Sequence, residues 1–165
     1  MSGDGINSWT TDVFRGDWVQ PCFDVDGNAY LNGKKLLWVC QNPGGLVLGR
    51  SAIGAFTLLN AKHGIEIQDF VQVASHCSIY SIATLWKGES GKVTIKRNAR
   101  IGAYSMIMPG VTIGENAVIG AFSFVNRDVP GNCLAFGVPC RVQRLLSFRE
   151  VSQLEGSVNN IEVKK

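Results

Sequence analysis

The chain of 165 residues holds two histidines, His63 and His76. An imidazole gains and loses its proton near neutrality, which suits it to work as a general base. His76 stands in Ala74-Ser75-His76-Cys77, where Ser75 is placed to position a substrate group or relay a proton; His63 stands in Ala61-Lys62-His63-Gly64. For either one the plainer reading is a surface imidazole without catalytic duty. Five cysteines, Cys22, Cys40, Cys77, Cys133 and Cys140, include no CxxC pair of the kind that binds zinc or cycles a disulfide, and read as free buried thiols. Further along, Asn126-Arg127, Arg141 and Arg144 offer guanidinium forks that match a phosphate, although as bare residues they are equally ordinary solvated surface.

The chain is long enough for one domain with a sizeable core and too short for two comfortable ones. Its 16 Lys and Arg against 13 Asp and Glu leave a net charge of +3 with no basic stripe, so nucleic acid is not an expected partner. No run of about 18 apolar residues occurs, and Met1 to Thr10 lack the charged and apolar regions of a signal peptide. These features predict a cytoplasmic protein without membrane insertion.

The candidate residues are threaded on a six-residue period. Aliphatic residues stand at Val47, Ile53 and Leu59, then Ile67, Val73 and Ile79, then Ile95, Ile101, Ile107, Ile113, Ile119 and Val125. Two places before each lies a small or β-branched residue: Gly45, Ser51, Thr57, Ile65, Val71, Cys77, Val93, Ala99, Ser105, Val111, Ala117 and Ser123. Inward residues two apart, with a corner every six, describe short strands rather than a helix. Three hexads make one triangular turn, and the matched hexads predict roughly four layers, a prism about 20 Å tall at the usual strand spacing. Gly54, Gly102, Gly114 and Gly120 follow aliphatic positions, where a tight corner could use positive φ. The period breaks twice, by two residues at Ala61-Lys62-His63-Gly64 and by a longer insertion, Tyr80 to Lys92, expected to protrude as a loop of the kind that carries function.

The flanks differ in kind. Residues 1–44 lack the hexad, contain an Asn32-Gly33 hairpin turn and are expected to cap the first open strand edge; residues 45–144 form the coil. Within residues 145–165, Ser147-x-x-Glu150 is a capping box, and Phe148, Val151 and Leu154 give an apolar helical stripe before Gly156, predicting a short helix and tail.

The block from Ile101 to Arg144, IGAYSMIMPGVTIGENAVIGAFSFVNRDVP followed by LAFGVPCRVQRLL, resembles the hexapeptide-repeat acyltransferases, specifically the galactoside, maltose and nucleotide-sugar acetyltransferases. The resemblance implies an all-β fold, a left-handed parallel β-helix with an N-terminal capping segment and a short C-terminal helix; the handedness comes from the family, since generic parallel crossovers are right-handed. It also implies a homotrimer in which acetyl-CoA lies between neighbouring prisms, its pantetheine arm on the coil backbone. Ala103 and Ala121 match the family positions along that arm, Asn126-Arg127 stands where the family commonly has Thr-Lys beside the nucleotide, and Arg141 and Arg144 match basic residues near the CoA phosphates.

By the same resemblance the expected reaction moves an acyl group from acyl-CoA to an amino or hydroxyl group of a sugar or nucleotide-sugar, in surface polysaccharide biosynthesis. Family O-acetyltransferases take their basic histidine from the loop just after a segment like Ile79-Tyr80, but here that segment continues Ser81-Ile82-Ala83-Thr84. That leaves His76 with Ser75, His63, or no histidine base at all. The last suits an amino-sugar acceptor, because a desolvated amine loses its proton more readily than a hydroxyl. A carbonic anhydrase of the same fold class would need three histidine zinc ligands, and two histidines thirteen residues apart argue against it; no metal is expected. A non-catalytic scaffold or CoA-binding protein is the remaining alternative.

Overall fold

The computed structural model describes residues 20–84 and 88–162. Strands β1 (Cys22–Phe23), β2 (Asn28–Leu31) and β3 (Lys34–Gln41) form an antiparallel meander. Asn32 (φ 50°) and Gly33 (φ 77°) make the predicted β2–β3 turn, with Leu31 opposite Lys34. The coil then winds through β4 (Leu46–Leu48), β5 (Ala52–Ile53), β6 (Leu58–Asn60), β7 (Ile65–Ile67), β8 (Gln72–Val73) and β9 (Ser78–Tyr80). A small antiparallel ribbon, β10 (Ile82–Ala83) and β11 (Glu89–Ser90), interrupts it. Winding resumes with β12 (Val93–Ile95), β13 (Arg100–Ile101), β14 (Met106–Ile107), β15 (Thr112–Ile113), β16 (Val118–Ile119), β17 (Phe124–Val125) and β18 (Cys133–Phe136). β19 (Arg141–Leu145) folds back along β18, and α1 (Phe148–Glu162) follows.

Every third strand of the coil stacks in parallel, so the solenoid has three sides: β3-β6-β9-β14-β17, β4-β7-β12-β15, and β5-β8-β13-β16-β18. The aliphatic period becomes three columns. Ile67, Ile95 and Ile113 stand in register, as do Val73, Ile101 and Ile119, and Ile79, Ile107 and Val125. Nearly all are sealed from water, at 0–3% exposure, and each contributes roughly 1.5–3 kcal/mol of burial. This is the left-handed parallel β-helix expected from the sequence.

Three details depart from the sequence reading. Val47 is 62% exposed, and Leu48 takes the inward place at 6%. Leu48 pairs with Ile67 and Ile53 with Val73, so the corner between β4 and β5 is one residue shorter than its counterpart in the next coil, and a shift of one residue turns a strand over. Secondly, Gly54, Gly102, Gly114 and Gly120 are not at positive φ. The left-handed residue falls two places further on, at Phe56 (60°), Tyr104 (59°), Asn116 (56°) and Phe122 (55°). The glycines are needed instead because a Cβ would strike the next coil: at Gly102 it would lie 2.7 Å from the Gly120 carbonyl carbon, and at Gly120 it would lie 2.8 Å from Phe136 Cβ.

Thirdly, α1 runs through Gly156 to Glu162, and Phe148 points into solvent. The capping box is present as expected, with Glu150 N–H donating to Ser147 Oγ (3.3 Å) and Ser147 N–H donating to Glu150 Oε2 (2.8 Å). What anchors the helix is Val158, buried against Ala52 and Phe70, together with Arg97, which reaches Glu155 at 2.9 Å and Glu115 at 3.2 Å.

Cys40, Cys77, Cys133 and Cys140 are buried and Cys22 is exposed. Burial raises all four buried thiols, Cys40 to about 11. Native protein should therefore react quickly with a thiol reagent at Cys22 and release the other four only on denaturation, as counted by absorbance. The fold holds neutral thiols, so the stability they lend is complete below the unfolded thiol value. It should fall as pH climbs from about 8.5 toward the value near 11 at Cys40. Melts across that range test it.

Candidate active site

One corner of the prism, between the β5-β8-β13-β16 side and the β6-β9-β14-β17 side, brings most of the candidate residues together. Each coil crosses it with two small residues and then one left-handed residue. The small pairs are Gly54-Ala55, Ala74-Ser75, Gly102-Ala103 and Gly120-Ala121. They stack into a strip of nearly bare backbone, tied between coils by Gly102 N–H to the Ile119 carbonyl (2.8 Å) and Phe122 N–H to the Ala103 carbonyl (2.9 Å). Ser75, Ala103 and Ala121 are thus vertical neighbours.

Beside this strip runs a ridge of rings. His76 lies 4.9 Å from Phe56 and 4.6 Å from Tyr104 between ring centroids, and Tyr104 lies 5.0 Å from Phe122 at 2°. Bulky side chains in the left-handed region cost roughly 1–3 kcal/mol each, and aromatic pairing returns roughly 0.5–1.5 kcal/mol per contact. The imidazole is consequently gripped on both faces while its edge stays exposed. Its neighbour Ser75 accepts from Tyr104 N–H through its carbonyl at 3.2 Å, leaving the hydroxyl without a partner among the described residues. This ridge was readable: Phe56, His76, Tyr104 and Phe122 each stand three places after Ile53, Val73, Ile101 and Ile119.

The strip from Gly54 to Gly102 and the ridge at Phe56 and His76 border a groove of about 560 Å³ whose floor is the outer surface of the β5-β8-β13-β16 side. On that floor Arg100 donates from Nη1 to Gln72 Oε1 at 3.3 Å, while its Nε is buried without an acceptor. Burial holds this guanidinium below its usual pKa. Neither residue was marked in the sequence, because outward positions of a hexad carry no periodic signal.

The basic residues distribute unevenly. Arg141 opens β19 beside the far end of the strip, its Nη1 on the Cys140 carbonyl at 2.7 Å. Arg144 is clamped by Glu150, with Nη2 to Oε1 at 2.7 Å and Nη1 to Oε2 at 2.9 Å. That pairing holds the carboxyl of Glu150 well below the usual range. Asn126 and Arg127 are exposed after β17, at a different corner from Ala121. His63 is exposed at that other corner, and its backbone N–H donates to Ser81 Oγ at 2.8 Å. Thr84 ends the described part of the inserted loop, whose residues 85–87 lie outside the described residues. Among the described residues no group of three or more His, Cys, Asp and Glu could hold a metal, and no helix is long and apolar enough to cross a membrane.

A three-sided coil of hexads with a backbone strip at one corner defines the hexapeptide-repeat class, and residues 92–127 match the family described as bacterial transferase hexapeptide (six repeats). In this coil and this repeat the chain is similar to the hexapeptide-repeat acyltransferases. It is 53% identical over 58 residues to galactoside O-acetyltransferase of Escherichia coli (strain K12), a match covering 35% of this chain and 29% of that protein. Maltose O-acetyltransferase from Clostridium difficile 630 superposes with a TM-score of 0.62 at 31% identity, over 67% of this chain and 64% of that one. A variant of AntD, an N-acyltransferase from Bacillus cereus in complex with dTDP-4-amino-4,6-dideoxyglucose and coenzyme A, gives 0.65 at 25%, over 76% and 87%. The matched segment thus spans under a third of the galactoside enzyme and slightly under two thirds of the maltose enzyme.

Proposed function

We propose that this protein is a homotrimeric acyltransferase that moves an acetyl or similar acyl group from coenzyme A to an amino or hydroxyl group of a sugar or nucleotide-linked sugar, in the assembly of surface polysaccharide. The observation that supports this most directly is the unbroken strip from Ser75 through Ala103 to Ala121, bare enough for an extended amide-bearing arm to lie on peptide groups. A side chain at Gly54, Gly102 or Gly120 would intrude on that packing. Arg141 stands by one end of the strip, where phosphates would be met, and Ser75 with His76 stands toward the other.

Coenzyme A supplies the activated acyl group as a thioester. The protein's share is positioning and proton movement. His76, held edge-out, takes the proton of the attacking amine or hydroxyl as the new C–N or C–O bond forms. As the C–S bond breaks, that proton passes to the departing thiolate. The unpartnered Ser75 hydroxyl orients the acceptor. Asn126 and Arg127 lie at another corner of the same protomer, so a complete CoA site draws them from a neighbouring copy, and Arg144 joins the phosphates by releasing Glu150. This trimeric reading predicts that Arg127→Ala raises KM for acyl-CoA while kcat stays nearly intact, since a contact remote from the carbonyl binds ground and transition states alike. Sedimentation should show a trimer, and acetyl-CoA with dTDP-4-amino-4,6-dideoxyglucose or a galactoside should yield acylated product. A stable monomer, or no product on any amino- or hydroxyl-bearing sugar, would defeat it.

A further inference from the structure

The floor of the groove carries a charge that the protein leaves unanswered. Among the described residues Arg100 is the only Lys or Arg bordering the groove, no carboxylate borders it, and the rest of its wall is mainly small or apolar. Gln72 supplies one neutral acceptor to Nη1, and the buried Nε–H has none. Isolated buried charges are retained where something pairs with them, and charged hydrogen bonds are the strong ones. Arg100 also lies in the third turn, on the flat side rather than the corner strip, whereas Arg141 belongs to the last strand of that side.

We propose that Arg100, set by Gln72, is an anion-recognising residue of the acceptor site, so that the sugar acylated here carries a phosphate or carboxylate group that docks on this guanidinium. The inference rests on the acyl-transfer reading, because Ser75 and His76 border the same groove and place the acceptor there. A planar fork takes two oxygens of such a group side by side, which fixes the sugar's orientation relative to the His76 edge. CoA's own phosphates are answered elsewhere, by the arginines beyond the far end of the strip.

Calorimetric titration of the full-length assembly tests this without any turnover. The probes are dTDP, inorganic pyrophosphate, glucuronate and CoA, added to wild type, Arg100→Gln and Arg100→Lys. Binding of dTDP and pyrophosphate without glucuronate assigns a phosphate-bearing acceptor, and the reverse assigns a sugar acid. Arg100→Gln should weaken the bound anion by about ten- to a hundredfold, the range for losing a charged hydrogen bond. Arg100→Lys, with the charge but no fork, should fall between. CoA affinity should change less than twofold. The proposal is overturned if Arg100→Gln binds the anion as wild type does, if CoA binding falls equally, or if no anionic probe binds wild type. Because each readout is binding, these outcomes stand apart from a failure to detect acyl product, which would count against the reaction instead.

Discussion

Replacing Gly102 with valine is expected to lower stability by about 3 kcal/mol or more, at the upper end of what overpacking costs. The melting temperature should fall by roughly 10 °C. A Cβ at this position points into the next coil, 2.7 Å from the Gly120 carbonyl carbon and 2.8 Å from Ala121 Cα, which are backbone atoms with no rotamer to escape into. Relief would require parting coils joined by Gly102 N–H to Ile119 (2.8 Å) and Gly120 N–H to Ala135 (2.9 Å). The control is Gly156, inside α1 with open space around it, where alanine should stabilise by about 0.5–1 kcal/mol. Calorimetric melts of both variants decide the matter: a Gly102→Val protein that melts within a degree or two of wild type would remove steric closeness as the reason for the recurring glycines.

The second large effect concerns His76, where the stack allows two roles to be separated. His76→Phe keeps an aromatic ring between Phe56 and Tyr104, while His76→Ala leaves a gap in the ridge. If the imidazole is the base, both variants should lose kcat by about 10² to 10⁴, the usual contribution of a positioned general base. The phenylalanine variant should melt like wild type. His63→Ala should be silent, because the bond to Ser81 is made by the His63 backbone. A His76→Phe enzyme with near wild-type kcat would reassign the histidine to packing alone. An amine acceptor that sheds its proton on desolvation would then carry the reaction.

What the sequence disclosed follows from which interactions repeat. Ile67, Ile95 and Ile113 stack in register with one another, so the solenoid advertised itself through spacing. The capping box at Ser147 and the Asn32-Gly33 turn were legible for a similar reason, as each is a local bond pattern written in adjacent residues. Val47 misled because the corner between β4 and β5 is one residue short, and the run Leu46-Val47-Leu48 offers an aliphatic residue in either register. Phe148 misled because a helical stripe does not reveal which stretch meets the body, and Val158 makes that contact. His76 was marked as chemistry, yet its flanking rings come from coils twenty and twenty-eight residues away, and no local motif announces such neighbours. Arg100 was invisible because its isolation is a property of what surrounds it in space.

Both insertions read from the sequence, the Ala61-Lys62-His63-Gly64 corner and the segment from Tyr80 to Lys92, fall at the same edge of the prism. The other two edges cannot lengthen so easily, since one carries the ring ridge and the other an Asn98, Asn116 and Asn132 chain linked at 2.7 and 3.1 Å. A residue added to either would throw a whole column out of step. The molecule therefore confines its tolerance of extra sequence to one seam, which is where a designer would splice in a foreign peptide, and where divergence among descendants would accumulate without loosening the stack.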